Sequence, residues 1–134
     1  MATIFSRIIA GEIPCHKVAE DSEFFAFLDI RPVAKGHTLV VPKQEVDYIF
    51  DLGDDALGRM MAFAKKVAKA QEAAISCKRI GLTVIGLEVP HAHIHLIPIT
   101  DEKDMSFSKK KPTPTQEELA ATAAEIQKSF FDFL

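Results

Sequence analysis

Three of the five histidines in this 134-residue chain stand at alternate positions in one stretch, His91-Ala92-His93-Ile94-His95-Leu96-Ile97-Pro98. Side chains two apart on a strand share a face. The stretch therefore predicts a strand with His91, His93 and His95 on one side and Ala92, Ile94 and Leu96 on the other. A row of imidazoles backed by apolar side chains needs a sheet whose two faces do different work.

The flanking sequence supplies such a sheet. Ile4, Phe5, Ile8 and Ile9 recur at helical spacing behind a Thr3 cap, with Gly11 and Pro14 as the stop, which predicts a short helix or turn. His16 to Ile30 is strand-like on both sides of Asp21-Ser22 and predicts a hairpin. Pro32 and Gly36 make Arg31–Gly36 a loop, and His37–Pro42 is a third strand rich in β-branched residues. Asp51 to about Ile75 is the strongest helix, with acidic residues at its positive end, lysines toward its negative end, and an apolar stripe through Leu57, Met60, Met61, Ala64 and Val67. Arg79–Ile85 is a fourth strand and the histidine row a fifth. Residues 100–114, charged and proline-containing, are expected to be an exposed, mobile loop. Thr115 and Glu118 fit a capping box before a last helix over 115–134, with Leu119, Ile126, Phe130 and Phe133 on one face.

Short hairpin connections rather than repeated strand-helix-strand crossovers favour an α+β fold with an antiparallel sheet, in one domain spanning 1–134. At 48% hydrophobic and 26% charged, the chain has the composition of an ordinary globular protein. It has no apolar run near the roughly 20 residues that span a bilayer, so no membrane partner is expected. Met1–Ala10 lacks the apolar core and cleavage site of a secretory signal, which makes a cytoplasmic location the expectation. Cys15 and Cys77 are expected to be free thiols. A net charge of −3 disfavours a nucleic-acid partner but leaves room for a small phosphorylated ligand held by a local cluster of donors.

The histidine row admits three readings. As a purely structural feature it must satisfy every buried ring nitrogen. As a zinc site it suits a pair of histidines plus a remote ligand such as His37, because same-face residues on a strand rise about 7 Å apart. As a nucleophile, a neutral imidazole with an ordinary pKa of about 6.5 can attack phosphorus near neutral pH.

His91-Ala-His-Ile-His-Leu-Ile97 resembles the His-x-His-x-His signature of the histidine-triad (HIT) nucleotide-binding proteins. Ile4-Phe5, Gly11-Glu-Ile-Pro14, Phe27-Leu-Asp-Ile30 and Gly36-His-Thr-Leu-Val-Val-Pro-Lys43 are similar to the blocks that precede the triad in that family, in the same order. The resemblance covers about residues 3–99 and is closer to the Hint-like bacterial members than to the Fhit branch. It implies a five-stranded antiparallel sheet, one long central helix and short terminal helices. It also implies a homodimer formed through the long helix and a strand. The implied activity is hydrolysis or transfer at the α-phosphate of a purine nucleotide or nucleotide conjugate, with no cofactor and no metal. By the same resemblance His93 is the nucleophile, His95 hydrogen-bonds the α-phosphate, and His91 and His37 orient the site. Asp29 accepts from the ribose hydroxyls; Ile4, Phe5, Ile8, Phe27, Ile30 and Leu39 match the apolar walls of the nucleoside pocket. Read from the sequence alone, core is the favoured reading of each of those apolar residues, and Asp29 could cap the turn that follows it.

Two departures from the family pattern bear on specificity. Gly81–Pro90 is short, with no asparagine or glutamine, and Glu88 stands where the resemblance places a hydroxyl that assists the leaving group. A protonated Glu88 could donate to a leaving group, whereas an exposed, ionised one repels polyphosphates. The second account leads to the expectation that phosphoramidates and monophosphate esters are better substrates than dinucleoside polyphosphates. Thr3 and Ser6 replace a C-x-x-C pair that binds structural zinc in some bacterial relatives, so no zinc is expected there. Lys109-Lys-Lys111 could reach a phosphate tail, but a solvated run is the expectation.

Overall fold

The computed structural model describes residues 2–108 and 111–132. In chain order the elements are α1 (Ile4–Ile9), β1 (Lys17–Glu20), β2 (Phe24–Leu28), β3 (Thr38–Pro42), α2 (Asp54–Ala74), β4 (Arg79–Thr83), β5 (Ile94–Ile99) and α3 (Gln116–Asp132). Single 3₁₀ turns cover Ile49–Asp51 and Glu102–Met105. The first of these replaces the expected opening turn of the long helix, which starts at Asp54. Five strands form one antiparallel sheet in the order β1-β2-β3-β5-β4.

The β1-β2 hairpin turns on Asp21, whose Oδ1 accepts from the backbone N–H of Glu23 at 2.8 Å and of Phe24 at 2.7 Å. Ladder register aligns Phe27 with Leu39, Leu39 with His95, and His95 with Thr83, so these residues share one face. On that face Phe25, Phe27, Leu39 and Val41 pack under Phe5 and Ile8 of α1. On the other face Phe24, Ala26, Leu28, Val40, Ile94 and Leu96 pack in a core shared with Met60, Phe63 and Val67 of α2 and Ile126 and Phe130 of α3. Coverage on both sides explains why Phe24-Phe-Ala-Phe-Leu28 is a continuous apolar run rather than an alternating one.

The start of α3 carries the expected capping box. Glu118 N–H donates to Thr115 Oγ1 at 3.1 Å, and Thr115 N–H donates to Glu118 Oε1 at 3.0 Å. His16, outside the triad, joins the approach to β1 to this helix through Gln116 Oε1 at 2.8 Å. Phe133, expected on the apolar stripe of α3, lies outside the described residues, as do Lys109 and Lys110.

Two features of the opposite face fix the strands that carry histidines. Gly36 has φ +85, and a Cβ there would meet Ile75 Cγ1 at 3.1 Å and Pro98 Cγ at 3.3 Å, so both the backbone conformation and the space require glycine before His37. Gln71, fully buried on α2, has its Nε2 2.9 Å from the Gly36 carbonyl and 3.0 Å from the Leu96 carbonyl. One side chain thus ties the long helix to the backbone next to His37 and next to His95.

Candidate active site

The fifth strand begins at Ile94, three residues later than the alternation predicts. His91 and Ala92 spend their backbone N–H groups elsewhere, on the Val89 carbonyl at 2.8 Å and the Val46 carbonyl at 2.7 Å, so they cannot join the ladder. The face relation survives, since the rings of His93 and His95 lie with centroids 4.9 Å apart. That is closer than the roughly 7 Å rise between alternate strand positions, because the two imidazoles lean together edge to face.

Hydrogen bonds settle which nitrogen of each ring carries the proton. His91 Nε2 lies 2.8 Å from the Pro42 carbonyl, which only accepts, so Nε2 is the donor. Its Nδ1 then accepts from the Thr3 hydroxyl at 2.7 Å. Thr3 is also the cap of α1, taking the Ser6 N–H at 3.1 Å, while Glu45 Oε1 accepts from Thr3 N–H and Ser6 Oγ, both at 2.7 Å. The Thr3 hydroxyl therefore ties the first helix to His91, while the Ser6 hydroxyl ties it to Glu45.

His93 Nδ1 lies 2.8 Å from the carbonyl of His91, so it donates there and leaves Nε2 as an unprotonated lone pair. His37 Nδ1 accepts the Val33 N–H at 3.1 Å, which places the His37 proton on Nε2. That proton faces His95 Nδ1 at 2.9 Å, so His95 carries its own proton on Nε2. The result is one imidazole offering a lone pair beside another offering an N–H, which suits attack by His93 and donation by His95.

Burial keeps these rings neutral. It pushes His37 and His95 down to about 4, with the Lys111 charge acting in the same direction and Asp29 opposing. His93 is lowered mainly by burial, although its bond to the His91 carbonyl and the charges of Asp29 and Glu88 pull the other way. Phe5 supplies part of the dry wall, with its ring edge-on to His93 at 5.0 Å and to His91 at 5.7 Å.

Asp29 uses both oxygens: Oδ1 caps the turn through Arg31 N–H at 2.9 Å, and Oδ2 sits 3.8 Å from His37 Nε2. Phe5, Ile8, Phe27 and Leu39 are buried in one apolar cluster, whereas Ile4 and Ile30 are 49% and 61% exposed. Glu88 is exposed. Asp29, His37 and His95 bring one ligand-type atom each within 4.8 Å of one another. His37 Nε2 and His95 Nδ1 share a hydrogen bond of 2.9 Å, so an ion held by those two nitrogens would have to displace the proton between them.

The loop after β5 is where the structure departs most from expectation. Instead of a wholly exposed segment, it folds back so that Phe107 lies edge-on against His95 at 5.0 Å and His37 at 6.0 Å. The available signal was a lone aromatic in the polar run Ser106-Phe107-Ser108. Thr3 and Gln71 gave no comparable signal, because their partners are distant in sequence. No helix among the described residues is long and apolar enough to cross a membrane.

A HIT domain profile matches residues 10–102. The chain is 41% identical over 103 residues to adenosine 5'-monophosphoramidase HNT1 of Saccharomyces cerevisiae, covering 76% of this chain and 65% of the yeast protein. To adenosine 5'-monophosphoramidase hnt1 of Schizosaccharomyces pombe it is 38% identical over 108 residues, covering 77% of this chain and 78% of the relative. A Hit-like protein from Bartonella henselae has the same fold, with a TM-score of 0.81 and 31% identity over 95% of each chain. Sequence match, sheet order and the histidines gathered at the start of β5 agree, and the chain belongs to the HIT domain family.

Proposed function

We propose that the chain is a nucleotide hydrolase or transferase acting at the α-phosphate of purine nucleotide conjugates, phosphoramidates above all. The observation that carries this reading is the pairing of the free Nε2 lone pair of His93 with the donor Nε2–H of His95 in a dry, neutral cluster. The phosphoramidase names of the two yeast relatives support it.

His93 Nε2 attacks the α-phosphorus while His95 donates to a phosphate oxygen. The bond from phosphorus to the leaving nitrogen breaks, and the amine departs with the bonding pair and a proton from solvent. His93 keeps its Nδ1 proton, so the nucleotidyl-imidazole is cationic and its donor faces the His91 carbonyl. Water then attacks phosphorus, His93 leaves as a neutral imidazole, and a nucleoside monophosphate and one proton are released. Ile4, Phe5, Ile8, Phe27, Ile30 and Leu39 form the nucleoside walls, and Asp29, whose Oδ2 stands 3.8 Å from His37 Nε2, receives the ribose hydroxyls. Free half-buried thiols at Cys15 and Cys77 fit a reducing compartment, the cytoplasm.

Glu88 sets the preference among leaving groups. Exposed and anionic at the mouth of the site, it disfavours a polyphosphate chain and tolerates an amine. An adenosine phosphoramidate is expected to exceed a dinucleoside polyphosphate in kcat/KM by about tenfold or more, and Glu88→Gln should narrow that gap. Equal turnover by the wild type would discard the role of Glu88. Intact-mass detection of a nucleotidyl adduct after rapid acid-free quenching tests the covalent step itself.

A homodimer completes this reading. β4 ends the sheet with one unpaired edge, and Met61 and Leu82, each 44% exposed, border an apolar groove with Ala64, Ala68 and Ile80. A second copy brings the same edge and helix face to this groove. Light scattering after gel filtration should give twice the chain mass for the wild type and the monomer mass for Leu82→Lys.

A further inference from the structure

We propose that Phe107 and Lys111, on the segment between β5 and α3, are a further wall of the active site. Lys111 supplies the positive charge for the non-bridging oxygens of the α-phosphate, and Phe107 excludes water from the His37–His95 pair. The proposal rests on the reading that the site takes a nucleoside phosphate.

Residues 100–107 of the segment are seated on the sheet. Asp104 Oδ2 accepts from Thr100 N–H at 2.8 Å and Asp101 N–H at 3.0 Å, while Asp101 Oδ1 accepts from Lys103 N–H at 2.9 Å, closing a capping box at its 3₁₀ turn. Met105 then fills the space that a side chain on Gly81 of β4 would need, its Sδ lying 2.5 Å from where a Cβ would be. Two residues on, the Phe107 ring packs against His95 and His37 at 74° to each plane. Pro112 and Pro114 restrict the chain beyond Lys111 until the Thr115 cap fixes it again. Lys111 is half-buried, with Nζ 6.0 Å from the centre of the Phe107 ring.

Charge balance gives this placement a purpose. The site meets an anionic phosphate with neutral imidazoles, and two carboxylates, Asp29 and Glu88, exert their fields on His93. Neutral donors alone bind an anion against that field poorly. Among the described residues Lys111 is the lysine whose charge is felt at both His37 and His95, where it disfavours a positive charge on the rings. A flexible lysine, acting as a point charge, can follow the phosphate as phosphorus becomes five-coordinate. Phe107 acts on the same pair by displacing water from the ring edges, and water is what would stabilise an imidazolium.

The test uses two readouts. Calorimetric titration of the whole protein with adenosine monophosphate and with adenosine reads the lysine. Lys111→Ala should weaken the monophosphate about tenfold and leave adenosine within a factor of two, with Lys111→Arg restoring most of the loss. An unchanged monophosphate affinity, or equal losses for both ligands, overturns the role of Lys111. Failure of the wild type to bind the monophosphate instead overturns the reading of the site as a nucleotide site. NMR titration of the ring protons reads the aromatic. The groups facing the pair are Asp29, His93 and Lys111, all retained in Phe107→Ala, so the apparent pKa values of His37 and His95 should rise toward 6.5, by about 1 on the pH scale. Values unmoved in that variant, or moved as far in Phe107→Leu, overturn the role of Phe107.

Discussion

Replacing His93 by asparagine should reduce turnover of an adenosine phosphoramidate by on the order of ten-thousandfold while adenosine monophosphate still binds. The side-chain amide of asparagine can take over the donor role that His93 Nδ1 plays toward the His91 carbonyl, 2.8 Å away, so the chain path into β5 is kept. The lone pair of Nε2 is what disappears. His95 remains with its donor, and the edge-on Phe5 ring at 5.0 Å loses only part of its neighbour. Binding energy and chemistry therefore separate, and steady-state kinetics beside a nucleotide titration checks both. Residual activity within tenfold of the wild type would remove His93 from the role of nucleophile.

Acid should destabilise the folded chain well above the range where its carboxylates titrate. His37 is held at about 4 by burial, against an ordinary value of 6.5. Between those values the unfolded chain binds a proton that the native state refuses, so stability is complete above pH 6.5 and lost as pH falls to about 4. For His37 the loss amounts to about 3 kcal/mol, because each tenfold difference in proton affinity between the two states is worth about 1.4 kcal/mol. His95, also held at about 4 by burial, adds in the same direction. The carboxyls of Glu20, Glu23, Glu45 and Glu118 are all lowered from 4.5 by their hydrogen-bond partners, so their contributions begin to fall away only below pH 4.5, at the acid end of the histidine window. Urea unfolding at pH 7.5, 6.0 and 5.0 should show a falling midpoint, and His37→Asn should flatten that slope. A midpoint constant over this range would mean that the pair is wetter than its burial implies.

Gln71 shows how far local pattern carries and where it stops. The helical stripe through Met60, Ala64 and Val67 can be read from spacing, as can the alternation that places Phe27, Leu39 and His95 on one face once the strands pair. Nothing in spacing reveals that a glutamine on that helix reaches the Gly36 and Leu96 carbonyls. The same limit applies to Thr3 and His91, bonded across 88 positions, and to Phe107, whose contacts depend on the course of an irregular loop.

Covalent order alone therefore determined the fold class, the five strands, the Thr115–Glu118 capping box and three histidines two positions apart, because periodicity and turn chemistry are local properties of the chain. The match to the histidine-triad signature rests on the same row of residues. Only the tertiary structure decided what each imidazole can do. The proton positions on His91, His93, His95 and His37 follow from the Thr3 hydroxyl, the Pro42 and His91 carbonyls and the Val33 amide. The neutrality of His37, His93 and His95 follows from burial that no single segment provides. A ring nitrogen becomes a lone pair or a donor according to what faces it, and what faces it is fixed only when distant segments meet.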